Sequence, residues 1–270
     1  MKTVLITGAS SGYGHAIAAQ FLAADWNVVA TMRSPKRDLL PASDRLRVVA
    51  MDVTDPTSIA AAIDDALAGF DRIDVLVNNA GIGGFSPFEL TPMRTVRQLF
   101  ETNTFGLMAV TQAVIPHLRD QGHGTMINVS SSVCFAGMPL VAPYAAIKFA
   151  VEGFTEALYF EMANFGVRVK LVEPGYGPGT AFTANAGERI HGLDSPVYRA
   201  YAARILSFSQ DATETTTAAQ VADKVLEAAN DRSERLRYPA GPDSEALAEA
   251  RWTHTDEKFL SGLRRRFATD

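Results

Sequence analysis

Short apolar runs alternate along the chain with longer segments in which apolar residues recur every three or four positions. The short runs are predicted to be strands and occupy residues 4–7, 26–32, 47–51, 73–77, 125–129 and 167–172. The periodic segments are predicted to be helices and occupy residues 16–24, 57–68, 91–119 and 144–165. Strands this apolar are typical of a parallel sheet that helices cover on both faces. The alternation therefore predicts an α/β fold, a doubly wound parallel sheet of Rossmann type with strand order 3-2-1-4-5-6.

The last third of the chain continues this pattern. A seventh strand is expected near residues 236–240, and helices are expected near 196–208, 217–230 and 244–263. Residues 175–192 contain five glycines and show no period. A long irregular segment in a compact domain is usually functional or mobile, so we expect a lid over about 175–210, with a disordered surface excursion as the alternative. Residues 1–240 are expected to form one domain, and 241–270 a helical extension of it.

Charge and cysteine content exclude several classes of protein. The 270 residues carry a formal net charge of −5, which gives no overall attraction for nucleic acid or for an anionic membrane. No apolar run approaches the ~20 residues that span a bilayer. The single cysteine, Cys134, excludes an intrachain disulfide and a thiolate metal cluster and fits a reducing compartment. With no secretory leader visible, we expect a cytoplasmic protein without nucleic-acid, membrane or metal partners.

Three glycines follow the first predicted strand. Glycine allows a tight turn and a close approach of the backbone to a pyrophosphate, and the next helix offers free N–H groups at its start. A glycine cluster occurs in many strand-to-helix turns, but its place after the first strand favours nucleotide binding. The candidate contacts are Gly8, Ser10, Ser11, Gly12, Tyr13 and Gly14.

The end of the second predicted strand bears on the choice of nucleotide. Met32 stands about where an acidic residue would bind a ribose 2′-hydroxyl, and a thioether cannot accept strong hydrogen bonds from a diol. Arg33 follows, with Lys36 and Arg37 close by. A guanidinium suits the 2′-phosphate of NADP. We expect NADP rather than NAD, while an ordinary charged surface loop remains the alternative interpretation.

Tyr144 and Lys148 lie four residues apart in a predicted helix and therefore share one face. An ammonium beside a phenol stabilises the phenolate and, together with a cationic nicotinamide ring, is expected to lower its pKa from about 10. Such a tyrosine acts as a general acid in reduction and as a general base in oxidation. Just upstream, the run Ser130-Ser131-Ser132 ends the fifth predicted strand, where ligands bind in doubly wound sheets. A serine there can hydrogen-bond a substrate oxygen.

Assembled, these motifs resemble the short-chain dehydrogenase/reductase family over essentially residues 2–240, and within it the subset of steroid and retinol dehydrogenases. The glycine stretch matches the family's Thr-Gly-x-x-x-Gly-x-Gly, and Tyr144 and Lys148 match its catalytic pair. Ser131 lies 13 residues before Tyr144, the family's usual interval. The other matches are Asp52-Val53, Asn78-Asn79-Ala80-Gly81, Asn103 and Glu173-Pro174-Gly175.

The resemblance implies a role for each matched residue. Tyr144 would transfer the proton, and Lys148 would lower the phenol pKa and hold the nicotinamide ribose. Ser131 would orient the substrate oxygen, and Asn103 would anchor a relay water. The family's threonine four residues after the Pro-Gly glycine is here Gly179, so the carboxamide contact is assigned to Thr180, one residue later. The remaining implied cofactor contacts, in addition to Arg33 after the second strand, are Asp52, Val53, Asn79, Ala80, Gly81, Pro174 and Gly175.

The expected protein is therefore an NADP-dependent oxidoreductase, a ketoreductase acting on a small-molecule carbonyl or secondary alcohol. The resemblance also implies a homodimer or homotetramer. An apolar substrate is expected from the candidate wall residues Phe85, Phe135, Met138, Leu140, Tyr176, Phe182 and Phe208, with ordinary core packing of these residues as the alternative. The alternatives are a non-catalytic NADP-binding sensor or scaffold protein, or an epimerase or dehydratase on the same scaffold.

Overall fold

A parallel sheet forms the centre of the molecule in the computed structural model, which describes residues 1–36, 38–179, 184–210 and 213–268. The sheet order is β3-β2-β1-β4-β5-β6-β7, and each neighbouring pair of strands is parallel. This confirms the predicted fold class and strand order, with β7 added beside β6. The strands are β1 Thr3–Ile6, β2 Asn27–Met32, β3 Leu46–Ala50, β4 Val75–Asn78, β5 Gly124–Val129, β6 Val167–Pro174 and β7 Arg237–Ala240.

Helices cover both faces of the sheet because successive strand residues point to opposite sides. Val4 and Ile6 pack with the first and seventh helices, whereas Leu5 between them packs with the second, fourth and fifth. The helices are α1 Gly12–Ala23, α2 Pro56–Phe70, α3 Met93–Phe100, α4 Gly106–Gln121, α5 Ala142–Ala163, α6 Arg199–Gln210, α7 Ala218–Asn230, α8 Pro242–Thr253 and α9 Asp256–Phe267.

The carboxyl ends of all these strands meet at one edge of the sheet, as they must in a parallel arrangement. The chain winds outward in one direction from β1 and in the other from β4, so the crevice between the ends of β1 and β4 is the switch point of the fold. The loops that follow β1, β2, β3, β4, β5 and β6 therefore converge there, and they carry the predicted functional residues.

Two predicted helices are interrupted. The segment predicted at 91–119 contains a π-helical turn at Glu101–Phe105 between α3 and α4, in which the amide of Gly106 bonds to the carbonyl of Glu101. The segment predicted at 244–263 is divided into α8 and α9. The second break has a capping cause, because the Thr255 hydroxyl accepts a hydrogen bond from the Lys258 amide and starts a new helix.

The later part of the predicted lid and the C-terminal helices pack together beside the carboxyl edge of the sheet. Leu140, Ala202 and Ile205 form an apolar cluster with Phe267 at the end of α9. The Phe208 and Phe267 rings meet edge to face with centroids 6.1 Å apart. The C-terminal extension thus reaches from β7 back to the predicted lid. Among the described residues, no helix combines the length and apolar character that crossing a membrane would require.

Candidate active site

The turn after β1 is built to approach another backbone closely. Gly8 has a φ of +71°, and a Cβ placed there would lie 2.7 Å from the Cα of Ala80. Ser11 is the N-cap of α1, and no side-chain capping bond from Ser11 is present in the described part of the chain. The first N–H groups of α1 are therefore available to an anion, and Ser10 and Ser11 are exposed beside them. This arrangement fits a pyrophosphate.

The loop after β4 is bonded to this turn. The Thr7 hydroxyl accepts hydrogen bonds from the amides of Asn79 and Ala80, both at 3.0 Å. The Asn79 side chain donates to the carbonyls of Thr7 at 3.0 Å and Gly8 at 3.2 Å. Asn79 therefore joins the two loops at the switch point, while Gly81 is exposed at the same edge.

Met32 and Arg33, at and just after the end of β2, lie in different environments. Met32 is 3 % exposed and packs in the core on the α1 side, together with Val28 and Ala30. It does not face a ribose, since positions 28, 30 and 32 of the strand share the inward face. Arg33 is the first exposed residue after β2. Arg37 lies outside the described residues.

Asp52 and Val53 follow β3. The Asp52 carboxylate accepts from the Thr54 amide at 2.9 Å and hydroxyl at 2.8 Å, and these bonds, helped by the nearby Arg33, lower its pKa. The Val53 side chain packs against Gly106 at the start of α4. Arg33 and Asp52 thus place a fixed cation and a fixed anion near each other at the carboxyl edge.

Tyr144, Lys148 and Ser131 come together beyond β5. The Tyr144 phenol is hydrogen-bonded to the Ser131 side chain. The Lys148 ammonium lies 5.6 Å from the centroid of the Tyr144 ring and donates to the carbonyl of Val129 at 2.9 Å. Ser131 also accepts from the Val133 amide at 3.4 Å, which fixes the hydroxyl at the head of the short helical turn Ser132–Cys134. The predicted trio therefore converges on one point.

Burial shifts the pKa of both members of the Tyr144–Lys148 pair in the protein alone. Burial raises the pKa of the Tyr144 phenol above its ordinary value of 10, and the hydrogen bond with Ser131 opposes this only in part. Burial lowers the pKa of Lys148 to about 8, against the opposing charge of Glu152. Burial thus favours the neutral phenol in the protein alone, whereas the predicted lowering of the phenol pKa also depends on a cationic nicotinamide ring.

Asn103 lies in the π-helical turn and is 2 % exposed. Its side chain bonds twice to the backbone of Ile82, accepting from the amide at 2.7 Å and donating to the carbonyl at 2.8 Å. The side chain is thus used to fasten the loop after β4. A relay role for Asn103 would have to use its backbone rather than this amide.

The chain after β6 is clamped at its start. The Asp243 carboxylate accepts from the Tyr176 amide and from the Thr216 hydroxyl, both at 2.6 Å. The Thr216 amide in turn donates to the carbonyl of Tyr176 at 2.7 Å. Pro174 and Gly175 are held against the sheet, where the Gly175 amide donates to Ala240 at 3.1 Å. We call this set, Tyr176, Thr216 and Asp243, the lid-root clamp.

The candidate wall residues fall into separate groups. Phe85, Leu140 and Phe208 belong to the apolar cluster around α6, while Met138 and Tyr176 are exposed at the cleft edge. Phe135 is instead packed against Trp252 of α8, with ring centroids 5.4 Å apart, so its assignment to the substrate wall is not supported. Phe182 and Thr180 lie outside the described residues.

Tyr13 and Cys134 show two further contacts of the site. A side chain on Gly177 would collide with the Tyr13 hydroxyl, so the glycine turn touches the lid segment. Burial, with the charge of Asp243, raises the pKa of Tyr13 to about 12. Cys134 is buried, and burial raises its thiol pKa, as expected for a small packed residue rather than a nucleophile.

The residues that surround the trio from behind were not among the predicted site residues. Glu152 is buried two helical turns after Tyr144, and Glu173 is buried at the end of β6. Arg237 on β7 ion-pairs with Glu152 at 3.2 Å. The spacing of Tyr144, Lys148 and Glu152 in steps of four was a usable signal, but the positions of Arg237 and Asp243 depend on strand pairing that no local motif reveals.

A Rossmann-type sheet with a glycine turn at its switch point and a serine, tyrosine and lysine beyond β5 defines a dinucleotide-dependent oxidoreductase. The family model described as short chain dehydrogenase matches residues 2–191, and the chain belongs to this family.

Curated relatives agree with this assignment. The chain is 40 % identical over 253 residues to an uncharacterized oxidoreductase, YusZ, of Bacillus subtilis, covering 89 % of each chain. It is 39 % identical over 185 residues to a 3-ketodihydrosphingosine reductase of Bacteroides thetaiotaomicron, covering 68 % of this chain and 66 % of that one. It is 38 % identical over 185 residues to retinol dehydrogenase 8 of Bos taurus, covering 64 % and 58 %.

Solved structures show the same fold. A short-chain dehydrogenase from Streptomyces avermitilis superposes with a TM-score of 0.83 at 31 % identity, covering 100 % of this chain and 98 % of that one. A 3-ketoacyl-(acyl-carrier-protein) reductase from Brucella melitensis complexed with NADH gives 0.73 at 25 % identity, with coverage of 88 % and 96 %. ElxO with NADP bound gives 0.72 at 25 % identity, with coverage of 88 % and 97 %. The protein is thus an NAD(P)-dependent dehydrogenase or reductase.

Proposed function

We propose that this enzyme uses NADP to interconvert a carbonyl and a secondary alcohol on an apolar substrate. The observation that carries the proposal is the convergence of the Ser131 hydroxyl, the Tyr144 phenol and the Lys148 ammonium at the carboxyl edge of the sheet. The available N–H groups of α1 and the adjoining loop after β4 fit a dinucleotide at the same edge.

Different residues of the site bind the cofactor and transfer the proton. The cofactor supplies or accepts the hydride when bound. It would be held by the turn Gly8–Gly14, Arg33, the Asp52-Val53 pair, the Asn79–Gly81 loop and Pro174-Gly175. In reduction the Tyr144 hydroxyl gives its proton to the carbonyl oxygen, and Ser131 holds that oxygen by a hydrogen bond. The Lys148 ammonium stabilises the phenolate that forms. Since the neutral phenol predominates in the protein alone, the acid form is ready for reduction.

Arg33 supports NADP over NAD. It is exposed directly after β2, which ends in Met32 rather than in an acidic residue, and its guanidinium suits a 2′-phosphate. The apolar cluster of Phe85, Leu140 and Phe208 supports an apolar substrate, as do the names of two relatives, a retinol dehydrogenase and a 3-ketodihydrosphingosine reductase.

The exposed rings of Phe149 and Phe160 on α5 support the proposal of a homodimer or homotetramer.

Replacing Tyr144 tests the proton-transfer role. We expect Tyr144→Phe to lower kcat by about 10²–10⁴-fold, the range for loss of a general acid, while NADPH binding stays close to wild type. Stopped-flow turnover and fluorescence titration of NADPH measure the two effects separately. The matched control is Tyr159→Phe, which removes an exposed phenol on the same helix and should leave both unchanged. A Tyr144→Phe enzyme that kept most of its activity would refute the proton-transfer role of Tyr144. NADPH binding without turnover in the wild type would instead favour a sensor or scaffold protein.

Replacing Arg33 tests the cofactor preference. We expect Arg33→Gln to weaken NADPH binding by about 10–100-fold, as for loss of a charge-assisted hydrogen bond, and to leave NADH binding unchanged. NADH is the internal control, because it lacks the 2′-phosphate. Equal losses with both cofactors, or a wild-type preference for NADH, would contradict the assignment of NADP.

A further inference from the structure

The active-site face of α5 continues into the protein as a row of ionisable groups. Tyr144, Lys148, Glu152 and Glu156 are spaced by four residues and therefore share one face of the helix. Lys148 and Glu152 are each 8 % exposed, whereas Glu156 is exposed. A buried carboxyl group thus stands one helical turn beyond the lysine that serves the phenol.

A second buried carboxyl group reaches this region from β6. Glu173 is fully buried directly before the Pro174-Gly175 pair. Its Oε2 accepts from the Tyr238 amide at 3.0 Å, whereas its Oε1 has no hydrogen-bond partner in the described part of the chain. The Oε1 atom of Glu152 is likewise buried and without a partner among the described residues.

One guanidinium faces both carboxyl groups. Arg237 Nε lies 3.2 Å from Glu152 Oε2 and 4.0 Å from Glu173 Oε1, while its Nη2 pairs with the exposed Glu156 at 2.8 Å. Two ionised carboxylates sharing one cation in a buried place repel each other, and their unpaired oxygens lack solvation. A single proton bound to one of the two carboxylates removes one negative charge. It also provides a hydrogen-bond donor beside the Oε1 atoms of Glu152 and Glu173, which have no partner among the described residues.

The charges of the neighbouring groups are consistent with one proton bound to the pair Glu152 and Glu173. Burial and the charge of Glu152 raise the pKa of Glu173 well above its ordinary value, against the opposing charges of Arg237 and Arg235. The Cys134 thiol, which interacts with Glu152, is neutral because burial raises its pKa. On the inner side stands Lys148, whose pKa is lowered by burial and raised by Cys134 and by the charge of Glu152.

We propose that Glu152 and Glu173 hold one proton between them and that the remaining negative charge keeps Lys148 an ammonium, which sets the upper pH limit of proton transfer by Tyr144. Glu152 and Glu173 are then positioning residues that act through Lys148. The part concerning Tyr144 rests on the proposed function, whereas the shared proton does not.

The pH dependence of turnover tests the link to Lys148. The double variant Glu152→Gln/Glu173→Gln removes the charge of the pair with little change of shape, so the alkaline limb of kcat for carbonyl reduction should move to lower pH by about one unit, as expected for two charges one helical turn apart. Glu173→Gln alone leaves the charge on Glu152, and its limb should stay in place. Glu156→Gln, on the same face and paired with the same Arg237, is the matched control and should also leave the limb unchanged. A double variant with the wild-type profile would overturn the link.

The pH dependence of stability tests the shared proton without any turnover. Because folding raises the pKa of Glu173, its contribution to stability is full below the ordinary value of 4.5 and is lost as the pH rises toward the folded value. Urea unfolding should therefore show the wild type losing stability relative to Glu173→Gln as the pH rises from 4.5, by a tenfold change in the folding constant for each unit of pKa shift. Parallel curves would overturn the shared proton. A wild type that turned over no carbonyl would refute the proposed function and leave this measurement valid.

Discussion

At the scale of single residues, the close approach of two loops depends on Gly8. Its φ of +71° and the 2.7 Å between a built Cβ and the Ala80 Cα leave no room for a side chain. We expect Gly8→Ala to lower the free energy of unfolding by about 2 kcal/mol or more, because strain in the left-handed region and a backbone clash add. Urea unfolding measures the loss.

Gly137 provides the control for this measurement. A Cβ there would meet nothing within 4 Å in the described part of the chain. Gly137→Ala should therefore be neutral or slightly stabilising, since it only restricts the unfolded chain. If Gly8→Ala had the same free energy of unfolding as Gly137→Ala, the turn at Gly8 would tolerate a side chain.

The motifs of the sequence indicate which residues meet at the candidate site, but not the environment of each side chain. Tyr144, Lys148 and Ser131 could be placed because each stands near the end of β5 or one turn apart on a helix. The direction of the Tyr144 pKa shift could not, since it depends on how much protein covers the phenol. The burial of Met32 was already indicated by the alternation of β2, which places it with Val28 and Ala30 in the core.

At the scale of elements, the π-helical turn at Glu101–Phe105 is the feature that periodicity could not predict. One residue is inserted without a break in the apolar pattern, so the segment has the pattern of a single helix. The turn brings Asn103 onto both backbone groups of Ile82, and the loop after β4 is thereby fixed to the α3–α4 segment. Such turns often occur at functional sites.

Removal of the lid-root clamp should weaken substrate binding and leave Ser131, Tyr144 and Lys148 in place. Asp243→Ala removes both 2.6 Å hydrogen bonds, each worth ~1–3 kcal/mol when a charged acceptor is lost. We expect a several-fold higher KM for substrate, a smaller change in kcat, and faster hydrogen exchange at the amides of Tyr176 and Thr216.

Asp256→Ala is the control for the clamp. Asp256 also stands in the first turn of a helix and carries the same charge, but its ion pair is with Arg251 on the surface. Its loss tests the helix-dipole effect alone. If both variants raised KM equally, the clamp would not be what holds the lid segment.

At the scale of the whole molecule, the topology was predictable because alternating strands and helices with right-handed crossovers leave few arrangements of a parallel sheet. The course of residues 184–210 was not. Their position depends on contacts distant in sequence, such as the Arg189 guanidinium on the carbonyl of Gly83 at 2.8 Å and the Phe267 ring beside Phe208. The glycine-rich stretch indicated irregular structure but not what it would pack against.

Arg237 and Asp243 both lie beyond residue 191, where the match to the family ends. Each nevertheless completes a structure in the first part of the chain: Arg237 neutralises Glu152, and Asp243 fastens the backbone of Tyr176. A chimaera that joined residues 1–191 of this enzyme to the C-terminal third of another member would inherit unmatched charges in its interior. Crossovers that preserve these two residues are the ones from which a working hybrid can be assembled.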